Sequence, residues 1–163
     1  MVITDYPDIE LIENIQYNVL NCGIEKNVQA QISVEGYLWG SDATPLLSHL
    51  ETDSKFDIII LSDTVSSFAC ISNYKVFNHS EHRSLIKSIL LNLEKNSNSR
   101  VCVFYTHHRP WLKAKDLEFF DLATQQGFNI EDLLIERVAP MFHDDLGDET
   151  ERGTVYGRAL WKN

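Results

Sequence analysis

Phe56-Asp57-Ile58-Ile59-Ile60-Leu61-Ser62-Asp63 carries the strongest structural signal in the chain. Its near-continuous apolar run, bounded by polar residues, predicts a strand covered on both faces, as a parallel sheet requires. Ser62 and Asp63 stand where that strand runs out. In an open α/β sheet the ligand lies beyond the carboxyl ends of the strands, so this pair is the first candidate for a site. A Ser-Asp pair is also an ordinary helix cap, and the residues alone leave both readings open.

On the C-terminal side, Val101 to Thr106 forms a second strand of the same kind. Between the two, His79 to Leu93 has the spacing of an amphipathic helix, closed by the polar stretch Glu94 to Arg100. A further helix is expected over Lys113 to Gln126, with Gly127 beyond it as a stop. Phe128 to Val138 and Thr154 to Trp161 then read as two closing strands with no helix between them.

On the N-terminal side, Val2-Ile3-Thr4-Asp5 is a short strand ending in an acid, and Pro7 suits a first helical turn. Ile9, Leu11, Ile12, Ile15, Val19 and Leu20 recur at helical spacing until Asn21-Cys22-Gly23. Val28 to Trp39 alternates loosely, as a strand would, and Pro45 to Leu50 predicts a short helix. Strands and helices in this order imply an α/β fold, a doubly wound Rossmann-like sheet with an antiparallel terminal hairpin.

A chain of 163 residues, 44% of them hydrophobic, fits one domain spanning 1–163. Its 14 Lys plus Arg against 24 Asp plus Glu give a formal charge of −10, which would repel a nucleic-acid backbone and suits a basic protein or a small molecule better. Cys22, Cys70 and Cys102 are odd in number and widely spaced, which argues against a disulfide framework or a structural zinc site. No apolar run approaches the ~20 residues of a membrane span, and the first residues lack the basic start and apolar middle expected of a signal peptide. A cytoplasmic protein without membrane contact is expected.

Asp5 ends its strand where a carboxylate can accept both hydroxyls of a ribose, although Asp-Tyr-Pro-Asp is equally an N-cap and turn. Trp39, followed by Gly40, can stack on an adenine ring or simply fill a core. His79 and His82 have a spacing compatible with metal, but no third ligand matches them, and a solvated helix start is the better reading. His107-His108-Arg109-Pro110 follows the second strong strand and reaches the crevice from its rim, where Arg109 would orient a substrate; a plain loop bearing exposed bases is the alternative. Asp144 to Glu151 is an acidic connection of the kind that is usually just solvated.

Taken together, Ile3-Thr4-Asp5-Tyr6-Pro7-Asp8, Glu35 to Gly40, Phe56 to Asp63, Phe77-Asn78-His79, His108-Arg109-Pro110 and Pro140-Met141-Phe142 resemble the fungal branch of methyltransferase family 16 in order along almost the whole chain. The resemblance implies a seven-strand methyltransferase fold with S-adenosyl-L-methionine as methyl donor. It implies a protein acceptor, a lysine or α-amino group of translation elongation factor 1-alpha. By motif position it places Asp5 at the ribose, Trp39 near the adenine, and Ser62 with Asp63 beside the methionine moiety and the target amine. Phe77, His108 and Arg109 would face the substrate, and no metal is called for.

Two departures accompany it. Family members open with a first strand and a glycine-rich Glu-Leu-Gly loop, and the sequence begins just after the place of both, so a truncated domain is expected. About ten extra residues, within Ser66 to Lys75, separate Asp63 from Phe77. Phe68 is the other aromatic that could serve the acceptor. The leading expectation is a protein N-methyltransferase. An inactive fragment, a small-molecule (nicotinamide-type) N-methyltransferase and a nicotinamide-dependent oxidoreductase are the competing readings.

Overall fold

In the computed structural model, residues 1–65, 81–141 and 146–162 are described. They form two compact units, 1–55 and 56–163.

The first unit holds β1 (Val2–Asp5), α1 (Ile9–Asn21), α2 (Lys26–Gln29), β2 (Ser33–Gly36) and α3 (Thr44–Leu47). β1 and β2 pair in parallel, from Val2 opposite Ser33 to Asp5 opposite Gly36, and α1 lies on the connection between them. Parallel neighbours need such a crossover because the chain must return to the starting edge. Asp8 starts α1 as its N-cap, its carboxylate accepting from the backbone N–H of Glu10 and Leu11 at 3.0 and 3.3 Å. Asp8→Ala is expected to cost about 1 kcal/mol, visible as a lowered midpoint in chemical denaturation. An unchanged midpoint would show that the cap adds nothing.

Gly36 ends β2 where a Cβ would stand 2.9 Å from the Pro7 Cα, so the close approach of the two chain segments requires glycine. The strand expected over 28–39 is four residues long, and the one-turn helix α2 precedes it. A single turn is too short to display a helical period, so the loose alternation there reads as strand.

The second unit holds β3 (Ile58–Ser62), α4 (His82–Asn92), β4 (Arg100–Thr106), a 3-10 turn (Pro110–Leu112), α5 (Lys113–Gln125), β5 (Asn129–Arg137), α6 (Glu149–Arg152) and β6 (Thr154–Trp161). Its sheet runs β3-β4-β6-β5, with β3 and β4 parallel and β6 antiparallel to both β4 and β5. The antiparallel closing hairpin is therefore present, with a bulge between Asp132 and Leu134. Its connection carries the short helix α6, capped by Asp148, where no helix was expected. Among the described residues no helix is long and apolar enough to cross a membrane.

Val101, Val103 and Tyr105 alternate along β4 into a core completed by Leu85, Ile89, Phe119 and Leu160, all buried. Phe120 of α5 lies 5.2 Å from the Tyr105 ring, and Phe119 meets His82 of α4 edge-on at 5.7 Å. β3 departs from expectation. Leu61 is buried beside this core, but Ile58 and Ile60 are 61% and 66% exposed. Strand alternation turns them to the face opposite Leu61, so the apolar run of β3 is covered on one face only.

Burial pushes the Tyr105 phenol up from 10.0 to about 12. Its contribution to stability is fully present below pH 10, the unfolded value, and is lost as the pH rises toward 12. Alkaline unfolding should therefore steepen across that window, and Tyr105→Phe should flatten it. Identical profiles for both proteins would overturn the assignment.

Candidate functional site

The site grows from the carboxyl end of β3. Ser62, its last residue, is exposed and pairs in register with Phe104 of β4. Asp63 then takes a left-handed backbone, φ 50°, a conformation that Asp and Asn tolerate better than most side chains. Two hydrogen bonds to β4 fix it there, and a longer contact from the following loop accompanies them. Its N–H donates to the Phe104 carbonyl at 2.8 Å, its Oδ1 accepts from the Thr106 N–H at 3.1 Å, and His108 Nε2 lies 3.5 Å from the same oxygen. The Asp63 side chain remains 41% exposed, whereas His108 is buried. A carboxylate held through Oδ1 while its side chain stays 41% exposed is open to a ligand such as an amine.

The loop that supplies His108 is itself pinned. His107 Nδ1 meets Asp116 Oδ2, in the first turn of α5, at 2.7 Å, with both side chains at most 2% exposed. Tyr105 and Tyr156 flank the His107 ring at 5.3 and 5.2 Å. Farther along, Glu151 Oε2 accepts from Lys113 Nζ at 2.8 Å and from the Tyr156 hydroxyl at 3.2 Å. The Lys113 ammonium holds the Glu151 carboxyl below its usual value, and the bond holds the Lys113 amine above its own. Gly147, at φ 102°, lets the turn before α6 settle on Pro110 and Trp111, where a Cβ would come within 3.1 Å of the proline ring.

Of the residues expected from sequence, Ser62, Asp63, His108 and Arg109 fall in the second unit. Contacts join Asp63 to His108; Arg109 is half-buried at the start of the 3-10 turn. Asp5 and Trp39 fall in the first unit. Asp5 ends β1 with its Oδ1 accepting from the Tyr6 N–H at 2.6 Å, and Trp39 is half-buried after β2, followed by Gly40 at φ 80°. Phe77, Phe68, Cys70 and His79 lie outside the described residues. His82 is buried, its Nε2 3.1 Å from the Val65 carbonyl, and among the described residues no three His, Cys, Asp or Glu side chains cluster as a metal site. Sequence reasoning missed the His107–Asp116 pair; the available signal was an acid in the first turn of the helix that follows a His-His strand end.

A protein N-terminal and lysine N-methyltransferase of Schizosaccharomyces pombe is 43% identical to this chain over 159 residues, 96% of the chain. Namesakes from Eremothecium gossypii and Neurospora crassa are 41% and 36% identical over 98% and 96% of it. The chain is homologous to these fungal methyltransferases. It spans little more than half of their length, 55–57% in these three. No protein-family model matches the chain. Among solved structures, a precorrin-6y C5,15-methyltransferase from Geobacter metallireducens covers 99% of it with a TM-score of 0.54 at 11% identity, the chain covering 66% of that protein. A predicted O-methyltransferase from Agrobacterium tumefaciens covers 98% with 0.52 at 12%, the chain covering 61% of it. At such identities the likeness speaks for fold: the chain is α/β and Rossmann-like, with a mixed parallel and antiparallel sheet.

Proposed function

We propose that residues 1–163 work as one S-adenosyl-L-methionine-dependent methyltransferase domain that modifies a protein amine, the N-terminal α-amino group or a lysine of translation elongation factor 1-alpha. The observation that carries this reading is the 36–43% identity to the fungal N-terminal and lysine N-methyltransferases over at least 96% of the chain. Asp63 supports it, because a partly exposed carboxylate at the carboxyl end of a parallel strand stands where such sheets place their ligands.

Each donor, taken within its own unit, has chemistry suited to one part of the cofactor. Asp5 and Ser62 offer a carboxylate and a hydroxyl at the ends of β1 and β3, and Trp39 offers an aromatic face beside a turn glycine. Asp5 would hold the ribose hydroxyls, Trp39 the adenine, and Ser62 the methionine moiety. S-adenosylmethionine, when bound, supplies a methyl group already activated by its sulfonium. The protein's own part is then alignment and exclusion of water. Asp63 would accept hydrogen bonds from the acceptor amine and aim its lone pair, with Arg109 as a contact for the substrate chain. A reducing cytoplasm suits the free thiols of Cys22 and Cys102.

The test incubates the full gene product with methyl-labelled S-adenosylmethionine and elongation factor 1-alpha, then maps the label by mass spectrometry. Label on the α-amine or a lysine is expected. Cofactor binding by calorimetry without transfer would overturn the acceptor, and absence of binding would overturn the methyltransferase reading itself.

A further inference from the structure

His107 and Asp116 stand outside every role assigned above, yet they lie 2.7 Å apart with both side chains at most 2% exposed. Burying an acid and an imidazole together is worth little as a source of stability, since desolvation offsets much of the attraction. The pair does fix geometry. Its bond ties the end of β4 to the first turn of α5, nine residues on, and the two tyrosine rings hold the imidazole on its other sides. The backbone on either side of His107 makes the contacts that orient Asp63: Thr106 contributes its N–H, and His108 contributes its ring. The His108 N–H, moreover, donates to the Thr106 carbonyl at 2.9 Å across His107, closing that three-residue segment into one turn.

We propose that His107 is a positioning residue: anchored on Asp116, it holds the Thr106 to His108 turn so that one oxygen of Asp63 stays engaged and the other faces the acceptor amine. The proposal rests on the methyl-transfer reading for its effect on rate, and on local geometry alone for its effect on structure.

The experiment compares three variants of the full gene product. His107→Asn keeps a donor near the position of Nδ1. His107→Phe keeps the ring and loses the donor. His107→Phe with Asp116→Leu removes both polar groups, so that no orphan charge is buried if the single variant fails to fold. Loss of the anchor should lower kcat for methyl transfer at least tenfold while KM for the cofactor stays within twofold, and His107→Asn should retain most of the rate. The histidine ¹⁵N signals of His108 should move in the Phe variants and stay in place in the Asn variant. Folded Phe variants with wild-type kcat and unmoved His108 signals would overturn the proposal. Wild-type protein that transfers no methyl would instead fail the functional reading, and the His108 signals would still decide the positioning role.

Discussion

Asp116→Ala is expected to destabilise the second unit by about 3–5 kcal/mol, a large share of the ~5–15 kcal/mol that holds a typical domain together. The loss does not measure the attraction between Asp116 and His107. It measures what remains when one partner goes: an imidazole at 1% exposure that has lost the carboxylate 2.7 Å from its Nδ1. The same reasoning predicts that His107→Phe with Asp116→Leu recovers part of the deficit, because the His107–Asp116 bond is then replaced by apolar contact and neither of its two groups is left behind. Salt should matter little to either variant, since a buried pair is barely screened. Chemical denaturation at low and high ionic strength checks all three statements. A cost below about 1 kcal/mol for Asp116→Ala would mean that water reaches the pair.

That pair also marks the limit of what residue patterns reveal. Ile58 to Leu61 announces a strand because an apolar run of that length between polar residues has few alternatives, and the strand's end then locates Ser62 and Asp63. Nothing in the run says how many of its faces find a partner, and Ile58 and Ile60 are exposed where full coverage was expected. Coverage depends on which elements lie opposite, a property of tertiary arrangement. The one-turn helices α2 and α6 escaped for a different reason: four residues complete barely one helical turn and set up no period. His107 and Asp116 belong to different elements, and their meeting depends on the path of the 3-10 turn between β4 and α5. The histidines after β4 were open to reading as exposed loop bases, yet both are buried. Asp63 follows the end of β3, as its strand implies, and the loop bearing His108 reaches it; the backbone contact from Thr106 was not legible. The backbone N–H of Thr106 and the ring of His108 reach it through strand pairing across 43 and 45 positions.

Those surroundings make Asp63→Asn the sharpest test of the site. The sequence makes Asp63 a site candidate with a helix cap as the alternative, and the structure supplies features of a turn former and of a site residue alike: a left-handed backbone with a carboxylate-to-backbone bond, and a carboxylate 41% exposed. Asparagine separates them. It tolerates φ near 50° as aspartate does, and its carbonyl oxygen can still accept from the Thr106 N–H, so stability should change by less than about 1 kcal/mol. What asparagine lacks is the negative charge and the second acceptor that would hold and aim an amine. Under the methyltransferase reading, single-turnover transfer should fall by about 100-fold or more, with cofactor affinity near that of wild type. Asp63→Ala should lose the rate and, in addition, about 1–3 kcal/mol of stability, because it forfeits the Thr106 bond while keeping a strained backbone. If Asp63→Asn transfers methyl within twofold of wild type, the residue is a turn former and the chemistry lies elsewhere. Stable protein with a collapsed rate would assign the charge itself to the acceptor amine.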